Sequence, residues 1–371
     1  MDIIKVFDQA VQSHSSRLAF SGAGGNFTYL ESQSLSIRIA KALRKRGIGK
    51  GSKFAIFSPN KSSALIAQLG GFRVGAAWCN INLRNPIDAN IDILKRGECN
   101  VLLYSTYCTN EAKAINGEID SITVCVCVDG DDGFGMPLAE FIKDHDDSFV
   151  CYGIEESDVG LQGTTSGTTG LPKITHNPHR FLYDSILGLA TTLRFDTQPV
   201  NLAVAPITHA GGLIVHGHYF FGGTTFMMDV VDIEKILQTI ETEKVTTLFL
   251  PPTVVYTMLA HPKVRDYDYS SLRYIYGGAA PFAAAKIAEA IDVFGPVLCQ
   301  GLGQTESGFP LTFISPEETA EAVADKSKAH RLASCGRPSI TMEAMNIVDD
   351  QGKQLGCNQT GEIVLKCQGR M

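Results

Sequence analysis

The stretch GTTSGTTGLPK, residues 163–173, is the most informative part of this sequence. It holds three glycines, five hydroxyl side chains and a terminal lysine within eleven positions. Glycines let the backbone turn so that several N–H groups converge on an anion, and hydroxyl and ammonium groups add further donors. The pattern is therefore typical of a loop that binds phosphate groups, although polar loops of this composition also occur without a ligand.

Two common nucleotide-binding motifs do not fit this loop or the other glycine clusters. A Walker A loop needs a lysine directly after its last glycine and before Ser or Thr, whereas Lys173 follows Pro172 and precedes Ile174. The clusters GAGGNF from Gly22 and GLGQTE from Gly301 both lack the last glycine of the dinucleotide fingerprint. The sequence therefore disfavours a P-loop NTPase and a nicotinamide-dependent oxidoreductase.

Around the loop, the chain alternates short β-rich runs with amphipathic helical patterns, which predicts βαβ units and an α/β fold. Asp232 is a good N-cap, and the apolar residues of 233–240 fall at i, i+3, i+4 and i+7. The next run, VTTLFL, is continuous and mostly apolar, as expected for a strand buried on both faces of a parallel sheet. After about residue 330 short alternating segments predict antiparallel hairpins.

Glycine-bearing loops follow two of the later predicted strands. LRYIY precedes GGAAP, residues 277–281, and PVLCQ precedes GLGQTES, residues 301–307. Open α/β sheets bind ligands at the carboxyl ends of their strands. We therefore expect these two loops to lie at a ligand site.

Composition narrows the class of protein. The 371 residues are 44% hydrophobic and 19% charged, with a net charge of −7, which predicts a globular chain with a sizeable core. The only basic cluster, residues 41–50, reads as the end of a helix, so nucleic acid is not an expected partner. No signal peptide and no run of about 20 apolar residues is visible, so we expect a cytoplasmic protein without stable membrane insertion.

The cysteines and histidines do not form a metal-binding pattern. The 10 cysteines are scattered, and Cys125 and Cys127 lie at strand spacing within an apolar run. His216 and His218 lack the second pair of ligands that a zinc site needs. The sequence therefore predicts no zinc site.

TTSGTTGLPK closely resembles the phosphate loop of the adenylate-forming superfamily, which includes acyl-CoA synthetases, peptide-synthetase adenylation domains and firefly luciferase. Three further segments resemble motifs of that family in the same order: PITHAGG (206–212), YGGAAP (276–281) and QGLGQTES (300–307). GEIVLK, from Gly361, resembles a later strand of the family. FAIFSPN, from Phe54, resembles an early one, so the likeness runs from there to the end of the chain.

The resemblance implies the large N-terminal α/β domain of this fold, with mostly parallel sheets and a small, late antiparallel β subdomain. We expect a first α/β subdomain over residues 1–160, a second with the nucleotide and acyl site over 161–325, and the small β subdomain over 326–371. The family's C-terminal lid, which carries a catalytic lysine, would lie beyond Met371. The chain reads as truncated before it, and we expect weak activity from this part alone.

The resemblance also assigns roles to residues. As catalytic residues it implies His209, Thr305, Glu306 and Lys173, with Glu306 holding Mg²⁺ beside ATP. Binding of ATP would involve residues of three loops: Thr164, Thr165, Ser166, Gly167, Thr168, Thr169, Gly170 and Lys173; Gly278, Ala279, Ala280 and Pro281; and Gln300, Gly301, Leu302, Gly303, Gln304 and Thr305. Candidate walls of the acid pocket are His209, Gly212, Tyr276, Gly277, Leu302 and Phe309.

Two positions depart from the family pattern. Ile174 replaces the usual glycine after the lysine, which alters the loop geometry. Leu302 stands where a tyrosine usually precedes the glycine of the Thr-Glu motif, and it offers adenine only apolar contact.

The sequence favours an acyl-CoA or aryl-CoA ligase that uses ATP, Mg²⁺, coenzyme A and a small carboxylic acid. An adenylation domain that activates an amino or aryl acid for a carrier protein is one alternative. Such domains usually place an aspartate between the PITHAGG segment and the next helix, and here the first carboxylate, Asp229, closes a predicted strand. An apolar acid is therefore favoured. A second alternative is a fragment that binds a nucleotide or acyl-adenylate without turnover.

Overall fold

The computed structural model describes residues 1–149, 152–165 and 172–367. The α-helices in these ranges are α1 (Ile3–His14), α2 (Tyr29–Lys45), α3 (Ser62–Arg73), α4 (Ile87–Arg96), α5 (Thr109–Glu118), α6 (Leu138–Ile142), α7 (His179–Thr192), α8 (Ala210–Gly217), α9 (Ile233–Thr242), α10 (Pro252–Leu259), α11 (Ala284–Phe294) and α12 (Pro316–Ala324). Short 3₁₀ turns are Thr106–Cys108, His218–Phe221 and Lys326–Ala333.

The strands of the same ranges are β1 (Leu18–Gly22), β2 (Phe27–Thr28), β3 (Lys53–Phe57), β4 (Ala77–Cys79), β5 (Val101–Tyr104), β6 (Val124–Cys127), β7 (Met136–Pro137), β8 (Val159–Thr165), β9 (Lys173–Pro178), β10 (Val200–Ala203), β11 (Thr224–Met227), β12 (Thr247–Leu250), β13 (Tyr274–Gly277), β14 (Leu298–Gln300), β15 (Thr312–Phe313), β16 (Arg337–Pro338), β17 (Met342–Val348) and β18 (Glu362–Cys367).

Two seven-stranded sheets form the centre of the protein. The first has the order β7-β6-β5-β3-β4-β8-β9 and the second β14-β13-β12-β10-β11-β1-β2. Neighbouring strands are parallel, except for the pairs β8·β9 and β1·β2. The strands β17 and β18 form a separate antiparallel pair. The predicted α/β class with a small, late antiparallel sheet is confirmed.

Neither sheet is built from one continuous part of the chain. The first sheet includes β9, which follows residue 160, and the second includes β1 and β2, which precede it. Strand β9 completes the first sheet, whereas β1 lies in the second sheet between β11 and β2. The division of the chain into subdomains at residues 160 and 325 stays a prediction.

Helix α3 fills the space between the sheets. All of its residues are buried, and it contacts β3 and β5 of the first sheet and β1 of the second. Close packing explains two of its glycines: a Cβ at Gly70 would lie 2.4 Å from Ile39 Cγ2, and one at Gly71 would lie 2.6 Å from the Phe54 ring. The absence of side chains there lets neighbouring elements approach the helix backbone.

Local sequence patterns correctly predicted helix α9 and three strands of the second sheet. Asp232 caps α9 by accepting from Lys235 N at 3.1 Å, and Ile236, Leu237 and Ile240 are buried. The predicted strands lie at β12, β13 and β14, and β12 is buried along its whole length. Among the described helices, none combines the length and apolar character that crossing a lipid bilayer requires.

Candidate functional site

A cavity of about 410 Å³ opens where loops of both sheets meet. Three segments singled out in the sequence contribute to its wall, and so does the segment that follows β4. Its lining residues are Trp78, Asn80, Asn82, Arg84, Leu161, Phe181, Val204, Ala205, Pro206, His209, Ala210, Gly211, Leu213, Val231, Phe249, Pro251, Val254, Ala279, Gly301, Gly303, Gln304, Thr305, Gly308 and Phe309.

The strand that leads into the predicted phosphate loop contacts the Thr-Glu segment directly. Thr305 Oγ1 donates to Thr164 O at 3.4 Å, and Asn177 Nδ2 donates to Thr305 O at 2.9 Å. A Cβ at Gly163 would lie 2.2 Å from Thr305 Cγ2, so only glycine fits there. Two predicted nucleotide-binding segments, 141 residues apart at this contact, therefore meet at Thr305, which lines the cavity.

The centre of the phosphate loop lies outside the described residues, and with it the predicted Ser166, Gly167, Thr168, Thr169 and Gly170. Thr164 and Thr165 end β8, and Lys173 begins β9 directly opposite Thr165. The side chain of Lys173 is exposed and has no ion pair with any described residue.

His209 lies at the N-cap position of α8 and lines the cavity. Its Nδ1 is 3.2 Å from Thr208 Oγ1, and its carbonyl accepts from Gly212 N at 2.9 Å. Burial lowers the pKa of the imidazole, because desolvation disfavours the charged ring. A neutral ring can donate a hydrogen bond to a substrate oxygen without adding charge.

The loop before His209 is held by Asn60, a buried side chain that follows β3. Asn60 Nδ2 donates to Ala203 O at 2.9 Å and to Ala205 O at 3.1 Å, while Asn60 Oδ1 accepts from Ile207 N at 2.9 Å. One amide thus satisfies three backbone groups that would otherwise be unpaired near the cavity. The first sheet thereby fixes a loop of the second.

The GGAAP loop contributes Ala279, which has a φ of 67°. A non-glycine residue in this left-handed region costs of order 1 kcal/mol or more, and such strain is often found at binding sites. Gly278 lies against Phe249, because a Cβ there would be 2.9 Å from the ring. Ala280 and Pro281 are exposed beside it.

The GLGQTES loop contributes Gly301, Gly303, Gln304 and Thr305 to the cavity wall. A Cβ at Gly301 would lie 2.3 Å from the Tyr276 hydroxyl, and one at Gly303 would lie 2.5 Å from the Phe309 ring. Both glycines therefore allow the backbone to pass close to aromatic side chains. Gln300 is buried behind this loop and pairs with Ile314.

Four predicted pocket residues are not among the residues that line the cavity. Tyr276 is fully buried and packs against Phe309 with ring centroids 5.0 Å apart. A Cβ on Gly212 would lie 2.2 Å from Ile207 O, and one on Gly277 would lie 2.4 Å from the Phe282 ring. Leu302 pairs through its backbone with Thr312 Oγ1 and Leu311 N. Of the predicted walls, the structure brings His209 and Phe309 to the cavity surface.

Glu306 is half-buried and makes no hydrogen bond or ion pair with a described residue. In the part of the chain that the structure describes, no three His, Cys, Asp or Glu side chains are grouped as ligands for a metal ion. A cation at Glu306 would therefore take most of its ligands from water and from substrate. Mg²⁺ binds proteins in that way, through one or two carboxylates and substrate phosphates.

Most of the cavity wall is apolar, with Trp78, Phe181, Phe249 and Phe309 as aromatic parts. Arg84 is the one charged side chain among the described lining residues, since the imidazole of His209 is neutral, and no carboxylate is among them. An ammonium group on a substrate would meet no counter-charge on this wall.

Sequence reasoning missed Asn60, Trp78, Asn80, Asn82 and Arg84. Trp78 and Asn80 lie two positions apart at the carboxyl end of β4, and Asn82 and Arg84 follow at the turn after it. The available signal was the polar run NINLRN directly after a buried strand, at the edge where such sheets bind ligands.

A family model described as "AMP-binding enzyme" matches residues 7–371. The chain belongs to the AMP-binding enzyme family. This finding confirms the resemblance to adenylate-forming enzymes that the loop motifs indicated. Three of the segments that resemble family motifs, residues 206–212, 276–281 and 300–307, contribute side chains or backbone to the cavity wall.

Among curated proteins, the AMP-binding chain is 30% identical over 199 residues to the medium/long-chain-fatty-acid–CoA ligase FadD8 of Mycobacterium tuberculosis, with 54% of this chain and 33% of that protein covered. It is 28% identical over 355 residues to 4-coumarate–CoA ligase 3 of Oryza sativa subsp. japonica. This match covers 92% of this chain and 62% of that protein. The chain thus spans less than two thirds of the length of these relatives.

Among solved structures, the fold of the AMP-binding chain is similar to that of the N-terminal domain of FACL13 from Mycobacterium tuberculosis. The TM-score is 0.87 at 24% identity, with 99% of this chain and 89% of that chain covered. At this identity the likeness supports the fold.

Proposed function

We propose that this protein activates a carboxylic acid with ATP and passes the acyl group to coenzyme A. In the first step a carboxylate oxygen bonds to the α-phosphorus of ATP, and the bond to the β-phosphate breaks to release pyrophosphate. In the second step the sulfur of coenzyme A bonds to the acyl carbon, AMP leaves, and the thiol proton passes to solvent.

The meeting of three family motifs on one cavity carries this proposal. Thr305, Ala279 and His209 come from separate loops, and all three line the same 410 Å³ space. The strand before the phosphate loop touches Thr305. A nucleotide and an acid must be held side by side for this reaction, and a shared cavity provides that proximity.

The side chains fit complementary roles. Lys173 supplies a positive charge at the phosphate loop, and neutral His209 a donor or acceptor beside the apolar wall. The hydroxyl of Thr305 would turn from Thr164 O to donate to a phosphate oxygen. Glu306 would hold Mg²⁺, whose charge screens the repulsion between the carboxylate and the phosphates.

The cavity wall favours an apolar acid. Aromatic and aliphatic residues dominate the described lining, and no carboxylate is present in it to pair with a substrate ammonium. Relatives named for fatty acids and for 4-coumarate suggest two classes to test, aliphatic and aryl acids.

The test is an acid panel with Mg·ATP, using dodecanoate, octanoate, cinnamate, 4-coumarate, benzoate and phenylalanine. Pyrophosphate release and exchange into ATP report the first step, and mass detection of the thioester with added coenzyme A reports the second. We expect exchange with an aliphatic or aryl acid and none with phenylalanine.

Exchange with phenylalanine alone would favour the adenylation-domain alternative. Calorimetric binding of ATP without exchange for any acid would favour a nucleotide-binding protein that lacks turnover. The absence of both binding and exchange would contradict the proposal.

A further inference from the structure

Asn80 lies at the carboxyl end of β4, on the wall of the cavity. Its backbone N donates to Gln162 O at 3.2 Å, so it extends the pairing of β4 with β8. The residue as a whole is buried, with 7% of its surface exposed. Such a residue has little freedom to turn away from its neighbours.

The orientation of the Asn80 amide is fixed by the group that it contacts. Asn80 Oδ1 accepts from Thr164 N at 3.0 Å, with Thr164 Oγ1 at 3.5 Å. A backbone N–H can only donate, so the amide atom facing it must be the oxygen rather than the nitrogen. The Nδ2 group must therefore point to the other side of the amide plane.

Asn80 Nδ2 makes no hydrogen bond with any residue that the structure describes. Because Asn80 lines the cavity, this amide donor can bond to water or to a ligand held there. Its oxygen is turned to β8, so a molecule in the cavity is the available partner.

The position of Asn80 identifies the chemistry of that partner. Thr164, which holds its oxygen, also accepts from Thr305 Oγ1, so Asn80 lies on the edge where the phosphate loop and the Thr-Glu segment meet. An N–H donor at this edge suits an oxygen that carries negative charge.

We propose that Asn80 donates a hydrogen bond from Nδ2 to an anionic oxygen of the reacting carboxyl–phosphoryl group. This inference rests on the proposed function, because it takes the group to be that of an acid and ATP, or of the acyl-adenylate formed from them. The acceptor of this hydrogen bond is either a carboxyl oxygen or a phosphoryl oxygen. One experiment with different probes distinguishes these two acceptors.

The decisive variant is Asn80→Asp. Aspartate keeps an oxygen for Thr164 N at nearly the same place but replaces the Nδ2 donor by a second, negatively charged oxygen. If Asn80 served only to hold Thr164, any weakening would come from charge repulsion alone and would disappear as added salt screens it. If Nδ2 meets an anionic oxygen, binding weakens by about tenfold or more.

The matched control is Asn100→Asp. Asn100 Oδ1 accepts from Lys53 N at 2.8 Å, the same kind of bond, and Asn100 is not among the cavity residues. We expect this control to bind within about twofold of the unchanged protein. Thermal melting of both variants checks that they fold. Asn80→Ala, which removes the donor without adding charge, provides a second variant if the aspartate is not tolerated.

Calorimetry uses three probes with the 371-residue chain. AMP carries the phosphoryl group alone. Dodecanoyl- and cinnamoyl-sulfamoyladenosine carry an acyl group on a sulfamate, which stands in for the phosphoryl group of an acyl-adenylate. Loss of affinity for the acyl probes alone assigns the carboxyl oxygen, and loss for AMP as well assigns the phosphoryl oxygen.

Equal affinities of Asn80→Asp and Asn100→Asp for every probe would overturn the inference while leaving the proposed function intact. If the unchanged protein bound none of the probes, the proposed function would fail first, and the role of Asn80 with it.

Discussion

At the scale of single residues, two charged side chains of the predicted site have no ion-pair partner in the described part of the protein. Glu306 and Lys173 carry opposite charges, and neither has an ion pair among these residues. On a protein surface most charges can be exchanged at little cost. Here Glu306 is expected to meet Mg²⁺ and Lys173 to meet phosphate. Replacing one of these side chains at a time should therefore separate their roles.

Glu306→Gln should abolish Mg²⁺-dependent adenylation while leaving the melting temperature unchanged. A neutral amide is a poorer ligand for a hard cation, and Glu306 makes no contact on which the described fold depends. Pyrophosphate exchange across a Mg²⁺ titration measures the effect, with the exposed Glu111→Gln as control. Unchanged exchange in Glu306→Gln would rule out the role.

Lys173→Ala should raise the KM for ATP by about tenfold or more and the KM for the acid much less. The ammonium group is expected to meet phosphate alone, so its loss affects one substrate. Steady-state exchange with each substrate varied in turn gives both values. The exposed Lys326→Ala is the control, and an equal rise for both substrates would count against the assignment.

At the scale of elements, the site depends on contacts between loops of different sheets. The amide of Asn60, at the end of β3, holds the backbone of residues 203–207, which lead from β10 towards α8. The position of His209 in the cavity is thus set by a side chain of the other sheet.

Asn60→Ala should lower the free energy of unfolding by at least about 2 kcal/mol, because three backbone groups lose their partner. It should also raise the KM for the acid more than that for ATP, since the loop carrying His209 is displaced. Urea unfolding and exchange kinetics measure the two effects. Asn100→Ala, which removes one hydrogen bond outside the cavity, is the control. A loss of stability without any change in KM would show a purely structural role.

Sequence patterns predicted the elements better than the contacts between them. Helix α9 follows from its N-cap and apolar periodicity, and β12 from a continuous apolar run, because both signals are local. Asn60 and Asn80 were missed since their partners are up to 147 and 84 residues away. No spacing along the chain reports such a hydrogen bond, and the burial of Tyr276 likewise depends on side chains from several strands.

At the scale of the whole molecule, burial of histidines makes stability depend on pH. Burial lowers the pKa of His216 to about 3 and that of His218 to about 4. In the unfolded chain both return to about 6.5. Below that pH the unfolded chain binds more protons than the folded one. The free energy of unfolding therefore decreases as the pH is lowered.

The free energy of unfolding should therefore decrease between pH 6.5 and 4, by up to about 1.4 kcal/mol per pH unit for each of the two histidines. Urea unfolding at pH 7.5, 6.0 and 5.0 measures the slope. His216→Gln should flatten it, whereas the exposed His330→Gln should leave it as it is. Equal slopes in all three proteins would show that the burial of His216 does not cause the pH dependence of stability.

The place of β1 in the second sheet has a consequence for how the protein is made. Its parallel neighbour is β11, and the contact between Leu18 O and Thr224 Oγ1 joins residues 206 positions apart. At a synthesis rate of about 5–20 residues per second, β1 leaves the ribosome on the order of 10–40 s before this partner does. During that interval its apolar residues Ala19 and Phe20, both buried in the finished protein, have no parallel strand to pair with. The nascent chain must keep this segment from aggregating, and the second sheet can close only after β11 has been translated.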